Sequence, residues 1–259
     1  MRFAMSFNET AFNKEDVDLY LKELAKAFRK LNGKSIPAEI ILIGGASILI
    51  NYGFRDMTYD MDAIIVSSSA MKQAINQVGD SLGLPNGWLN TDFMRTKSYS
   101  PKLIEYSIYY KTFSSILTVR TVTAEYMIAM KLMAGRKYKN DLSDVIGVLK
   151  HHKEQGAPIT LDQIKKAVVN LYGDWSALPQ SSIVFIEQTI AKENYDTTFE
   201  EIRDSEIVNK TLLQNFETDY PGVLTEKNLD EILQQAAQKM SKMDESENEE
   251  VTEVPMQKM

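Results

Sequence analysis

Ile40-Ile41-Leu42-Ile43-Gly44-Gly45-Ala46-Ser47, followed by Arg55, Thr58, Asp60 and Asp62, is the stretch on which the fold turns. Ala38 to Ile43 is a short apolar run with three isoleucines, closed by two glycines, and it reads as a buried strand. Ala46 to Asn51 offers helix formers up to a stop at Gly53. A second strand is predicted from Thr58 through Val66. Side chains alternate along an extended chain, so Asp60 and Asp62 share one face at the start of that strand.

The surrounding pattern extends this unit. Val17, Leu21, Leu24, Phe28 and Leu31 step by four, three, four and three, which predicts a helix capped by Asn13 and ending at Asn32-Gly33. Ser67 to Ser69 caps a further helix over Ala70 to Leu82. Leu103 to Tyr110 and Ile116 to Val122 alternate as two more strands. From Thr123 the pattern turns helical, with segments over Ala124 to Ala134, Leu142 to His151, a Thr160-x-x-Gln163 capping box leading to Tyr172, Ser182 to Lys192, Phe199 to Phe216 and Lys227 to Met240. The class expected is α+β: a small mixed-sheet module with its N-terminal helix over residues 1–122, a helical half over 123–240, and a tail over 241–259.

Composition narrows the chemistry. The 259 residues include no cysteine and two histidines, His151 and His152, adjacent in sequence. Thiol nucleophiles, cysteine metal sites and most histidine triads are thereby excluded. The net charge is −7, which argues against nucleic acid until it is mapped. The tail from Ser241 carries six acids and two lysines and reads as disordered. Arg95 to Lys139 holds nine basic residues against Glu105 and Glu125, a net of +7, interleaved with six tyrosines. That composition suits phosphate contact with base stacking, or a sheet whose tyrosines pack while its lysines face solvent. No apolar run reaches the roughly 18 residues of a membrane span, and a cytoplasmic location is expected.

Two carboxylates on one face repel unless a cation lies between them, and hard oxygen ligands suit Mg²⁺ or Mn²⁺. Gly44-Gly45 leads into a helix N-terminus, whose amides favour phosphate. An anion site beside a metal site is what phosphoryl or nucleotidyl transfer requires. Taken singly, the glycines read as a tight turn, Ser47 as a cap and Asp-x-Asp as a solvated strand end. Lys131, on a largely apolar helix, is either snorkelling or placed to meet phosphate, and Asp141 reads as an N-cap with Asp144 completing a box-like cap.

Gly44-Gly45-Ala46-Ser47 with Arg55-x-x-Thr58-x-Asp60-x-Asp62 resembles the first signature of the polymerase β-like nucleotidyltransferases. Within these it is similar to bacterial proteins related to AbiEii-type abortive-infection toxins. Glu125-Tyr126, Lys131-Leu132, Arg136 and Asp141-x-x-Asp144 resemble that family's helix pair, and Trp88-Leu89-Asn90 is similar as well. The resemblance implies a metal-dependent transfer of an NMP from an NTP. Asp60 and Asp62 would hold the metal and Gly44, Gly45, Ser47, Arg55 and Thr58 the nucleotide, with Lys131, Arg136 and Asp141 completing the catalytic set. It further implies an acceptor such as an RNA end (tRNA, reached through the 95–139 block) or a protein, a cognate antitoxin or partner protein, and a role in phage defence. Such enzymes carry a third carboxylate on a neighbouring strand. The strand Ile116 to Val122 has none, which leaves Glu105, Asp92 or Asp141 for that role. Without one, the alternative is a degenerate binding module, an antitoxin or defence-complex subunit.

Overall fold

The computed structural model describes residues 11–34, 36–67, 69–225 and 228–236. Helix α1 (Lys14–Asn32) starts at Asn13, whose side chain accepts from the Asp16 amide while the Asp16 carboxylate accepts from the Asn13 amide. The helix stops at Gly33, where φ of +76° suits a residue without a Cβ. The sheet is built from β1 (Ala38–Leu42), β2 (Met61–Val66), β3 (Leu89–Asn90), β4 (Ser107–Phe113) and β5 (Leu117–Val122), in the order β3-β2-β1-β5-β4. β1 is antiparallel to β2 and parallel to β5, so the sheet is mixed, as expected.

Alternation along the strands assigns the two faces. Ile40, Leu42, Met61, Ala63, Leu117 and Val119 pack with Val17, Leu21, Leu24 and Phe28 of α1 and with Met71, Ala74 and Val78 of α3 (Ala70–Leu82). Each of these large side chains contributes about 1.5–3 kcal/mol by leaving water. Ile41, Ile43, Ile64 and Val122 face the other way, onto α4 (Ala124–Ala134), α5 (Asp141–Glu154) and α6 (Leu161–Tyr172). α4 is apolar almost all round and buried accordingly. α2 (Gly44–Asn51), α7 (Gln180–Lys192) and α8 (Tyr195–Asp219) complete the set.

The described chain forms two compact units. The larger contains the described residues up to Arg136 and Asn140–Arg203, and with them the sheet and every site residue considered below. The smaller contains Lys137–Lys139 and the chain from Asp204, where Tyr138, Leu213, Leu224, Leu229 and Leu233 form a core of their own. The helix expected over Lys227 to Met240 is seen at 229–236. The acidic tail 241–259 lies outside the described residues.

Several boundaries differ from the pattern. β2 begins at Met61 rather than Thr58, because Thr58 instead pairs with Phe12 in an isolated bridge. Leu103 and Ile104 end a 3-10 turn, Pro101–Ile104, and β4 starts only at Ser107. Thr123 holds the N-cap position of α4 without a side-chain cap bond. α5 is preceded by Asn140, so Asp141 is the first helical residue and not its cap, and Asp144 falls one turn in.

Candidate active site

The ends of β1 and β5 and the start of β2 lie along one sheet edge, because β2 runs antiparallel to the parallel pair. At that edge the Ile43 amide donates to the Asp62 carbonyl at 3.0 Å, and the chain turns at once into α2. Gly44 has φ of +56°, a left-handed conformation that disfavours a side chain. A Cβ on Gly44 would stand 3.6 Å from Asp62 Oδ2. One on Gly45 would stand 2.6 Å from Thr58 Oγ1 and 2.9 Å from Arg55 Nη2. The two glycines therefore let a carboxylate and a guanidinium approach the same helix start.

The N-cap residue of α2, Ile43, has an apolar side chain that makes no cap bond. Ser47 lies in the body of the helix rather than at its end: it is fully buried, its amide bonds the Ile43 carbonyl, and its Oγ is 3.5 Å from Asn51 Nδ2. Thr58 is buried, and its hydroxyl donates to the Asp60 carbonyl at 3.1 Å, which fixes the chain just before β2. Asp60 is exposed there, while Asp62 is half-buried within β2. The register partner of Asp62 on β3 is Asn90, whose Oδ1 accepts from the Asp92 amide. In the sequence Asn90 stands out only within Trp88-Leu89-Asn90, since a two-residue strand leaves no periodic signal.

A chain of charges leads away from Gly45. Arg55 Nη1 lies 2.8 Å from Asp144 Oδ2, which lies 2.9 Å from Lys131 Nζ. Lys131 Nζ is 2.9 Å from Asp141 Oδ1, and Arg136 Nε is 2.7 Å from Asp141 Oδ2. Arg55 also donates from Nε to the Met57 carbonyl. Burial pushes the Lys131 ammonium down, but Asp141 and Asp144 outweigh it and hold its pKa above the ordinary lysine value. Burial raises the Asp141 carboxyl, yet Lys131 and Arg136 hold it well below the usual carboxylate range. Lys131 is thus a buried cross-link between two carboxylates of α5, and Arg136 is bonded to one of them through its side chain.

Among the proposed third carboxylates, Glu105 and Asp92 are exposed and Asp141 is enclosed by its cations. Among the described residues no group of three acidic or histidine side chains is arranged to hold a metal ion. His151 and His152 stand in the last turn of α5, half-buried with the Tyr52 ring 5.1 Å and 6.1 Å away. Part of the +7 block is engaged within the fold, while Arg95, Lys97, Lys102, Lys111, Lys137 and Lys139 are exposed. Tyr106 stacks on Tyr126 at 3.7 Å, Tyr99 meets Phe93 edge-on, and Tyr110 and Lys111 bond Asp18. Arg120 is bonded to Ser107, whereas Arg95 and Lys97 are exposed. Trp88 is a packing residue, its indole donating to the Ile75 carbonyl.

A mixed five-stranded sheet, with a glycine-opened helix start beside an Asp-x-Asp strand and helices behind, is the architecture of a nucleotidyltransferase fold. The family described as nucleotidyltransferase of unknown function (DUF6036) matches residues 20–150, a span that holds every site residue from Gly44 to Asp144, and the chain belongs to that family. No curated protein and no solved structure matches the chain significantly. No helix among the described residues is long and apolar enough to cross a membrane.

Proposed function

We propose that this chain transfers an NMP from a metal-bound NTP to an acceptor hydroxyl. The observation that carries the reading is the approach of Asp62 Oδ2 to within 3.6 Å of the Cβ position of Gly44, which puts the Asp62 carboxylate beside the start of α2. Mg²⁺ keeps several waters and is commonly held by one or two carboxylates together with substrate phosphates. Asp60 and Asp62, without a third acid, fit an ion that arrives with the triphosphate. When bound, Mg²⁺ or Mn²⁺ neutralises phosphate charge and polarises the phosphorus that is attacked. The amides at Gly44 and Gly45 bind the phosphates, and Arg55 supplies a fixed positive charge beside them. The acceptor hydroxyl gives up its proton to solvent, its oxygen bonds the α-phosphorus, the bond to the bridging oxygen breaks, and pyrophosphate leaves.

The resemblance to abortive-infection toxins favours an RNA end, such as that of tRNA, as acceptor, in the cytoplasm, with a cognate antitoxin as partner. Incubation with each labelled NTP, Mg²⁺ and total RNA is expected to label RNA or protein and to release pyrophosphate, with Asp60→Ala and Asp62→Ala inactive. If no NTP gives transfer, or if Asp60→Ala transfers as well as the natural chain, the proposal fails. A second reading, nucleotide binding without transfer, is favoured by the two-carboxylate site. It predicts measurable NTP affinity with no labelled product.

A further inference from the structure

Phe54 and Arg55 are neighbours in sequence, and both seat on α5. The Arg55 guanidinium bonds Asp144 at 2.8 Å. A Cβ on Gly147 would meet Phe54 ring atoms at 2.5 to 2.7 Å, so the ring lies directly against the helix backbone at that glycine. Positions 144 and 147 are three apart and share a helix face. The segment carrying Phe54 and Arg55 is therefore docked on α5 by an ion pair and by a ring filling a glycine notch. Its far end is held by the Phe12–Thr58 bridge, with N···O distances of 2.7 and 2.9 Å. What this docking fixes is the height of Arg55 over Gly45, where Nη2 stands 2.9 Å from the Cβ position. Asp144 is kept in place by Lys131 on its other side.

We propose that Asp144 and Gly147 are positioning residues that aim Arg55 at the outer phosphates of the nucleotide. This rests on the nucleotidyltransferase reading. An arginine has many rotamers, and holding it by a carboxylate before ligand binding reduces the entropy lost when phosphate is met. Its planar fork can keep Asp144 on one nitrogen while another faces the helix start. The helical half of the larger unit thus acts on nucleotide affinity through one side chain of the loop between α2 and β2.

The test is equilibrium binding of an NTP and of the matching NMP, each with Mg²⁺, to the full chain and to Arg55→Ala, Asp144→Asn, Gly147→Ala and Arg55→Ala/Asp144→Asn. Loss of one charge-assisted phosphate contact corresponds to roughly tenfold to a hundredfold in affinity. Arg55→Ala and Asp144→Asn are each expected to weaken NTP binding by that factor while leaving NMP binding unchanged. The double variant is expected to bind no more weakly than Arg55→Ala alone, which a purely structural role of Asp144 would not produce. Gly147→Ala keeps every charge and is expected to weaken NTP binding in the same selective way, so the proposal stays testable if Asp144→Asn folds poorly. Unchanged NTP affinity in Asp144→Asn or Gly147→Ala, or a double variant whose loss is the product of the two single losses, would overturn the positioning role. If the natural chain binds no NTP, the nucleotidyltransferase reading itself falls, which is a separate result.

Discussion

Lys131 Nζ and Asp141 Oδ1 meet at 2.9 Å with both side chains enclosed, joining the end of α4 to the first residue of α5. An ammonium and a carboxylate are both costly to bury, and the arrangement holds because each has more than one opposite charge within reach. Lys131 touches Asp144 as well as Asp141, and Asp141 touches Arg136 as well as Lys131. The geometry of the α4–α5 connection is thereby tied to the ion network that reaches Arg55.

Removal of one member of such a network leaves a buried charge short of its partner. Lys131→Met, close in volume to lysine but uncharged, is expected to destabilise the fold by about 3–5 kcal/mol. Urea unfolding followed by circular dichroism measures this. A loss below about 1 kcal/mol would show that the network is no more than a surface ion pair in its effect.

The acid limb of stability follows from Asp141. Its folded pKa is depressed, so its stabilising contribution is present above the unfolded value of about 3.9 and is lost as pH falls towards the folded value. Urea midpoints are expected to fall steeply below about pH 4 in the natural chain, and less steeply in Asp141→Asn, which has no carboxylate to protonate. Parallel acid limbs in the two proteins would rule out this origin.

The alkaline limb has the opposite sign. Burial, with Glu125 nearby, pushes the Tyr52 phenol up to about 12. Lys131 is also raised above its ordinary value. Both groups stabilise the fold fully below their unfolded values, near 10 and 10.4, and that contribution is lost as pH rises through the folded ones. The near-ultraviolet titration of the natural chain minus that of Tyr52→Phe is expected to show one phenol ionising at about 12. A difference curve centred near 10 would mean that Tyr52 is solvated.

Gly44 and Gly45 should fail differently when given a Cβ. Gly44→Ala forces a left-handed backbone at φ of +56° and is expected to cost about 1–2 kcal/mol in stability. At Gly45 the added methyl would strike Thr58 Oγ1 and Arg55, so Gly45→Ala is expected to lose NTP affinity beyond what its change in melting temperature accounts for. Thermal unfolding and NTP binding, measured on both variants, separate the two effects.

Much of this was legible before folding. The Asn13 cap, the stripe of α1 and the extent of β1 are local, and each appears within a residue of its predicted place, whereas β2 starts three residues later than its alternation suggests. The turn at Gly44-Gly45 was legible because few residue types permit a left-handed backbone there. Leu103 to Glu105 misled because an apolar residue in a 3-10 turn mimics strand alternation over so short a run. Gly147 left one usable signal, a glycine in the middle of a helix, where it costs about 1 kcal/mol relative to alanine and invites a packing reason.

Local pattern settled the order of the longer helices and strands, with β3 missed, and where the carboxylates and glycines stand along the chain, because periodicity and capping act over only a few residues. The partners of Arg55, Lys131 and Asp141 were decided by tertiary structure. Arg55 finds Asp144 across 89 residues of sequence, and that meeting depends on how α5 packs behind the sheet and on the space at Gly147 for the Phe54 ring. A lysine that sequence alone leaves free to snorkel or to meet phosphate is held by two carboxylates, because a buried ammonium must be paired wherever the fold places it.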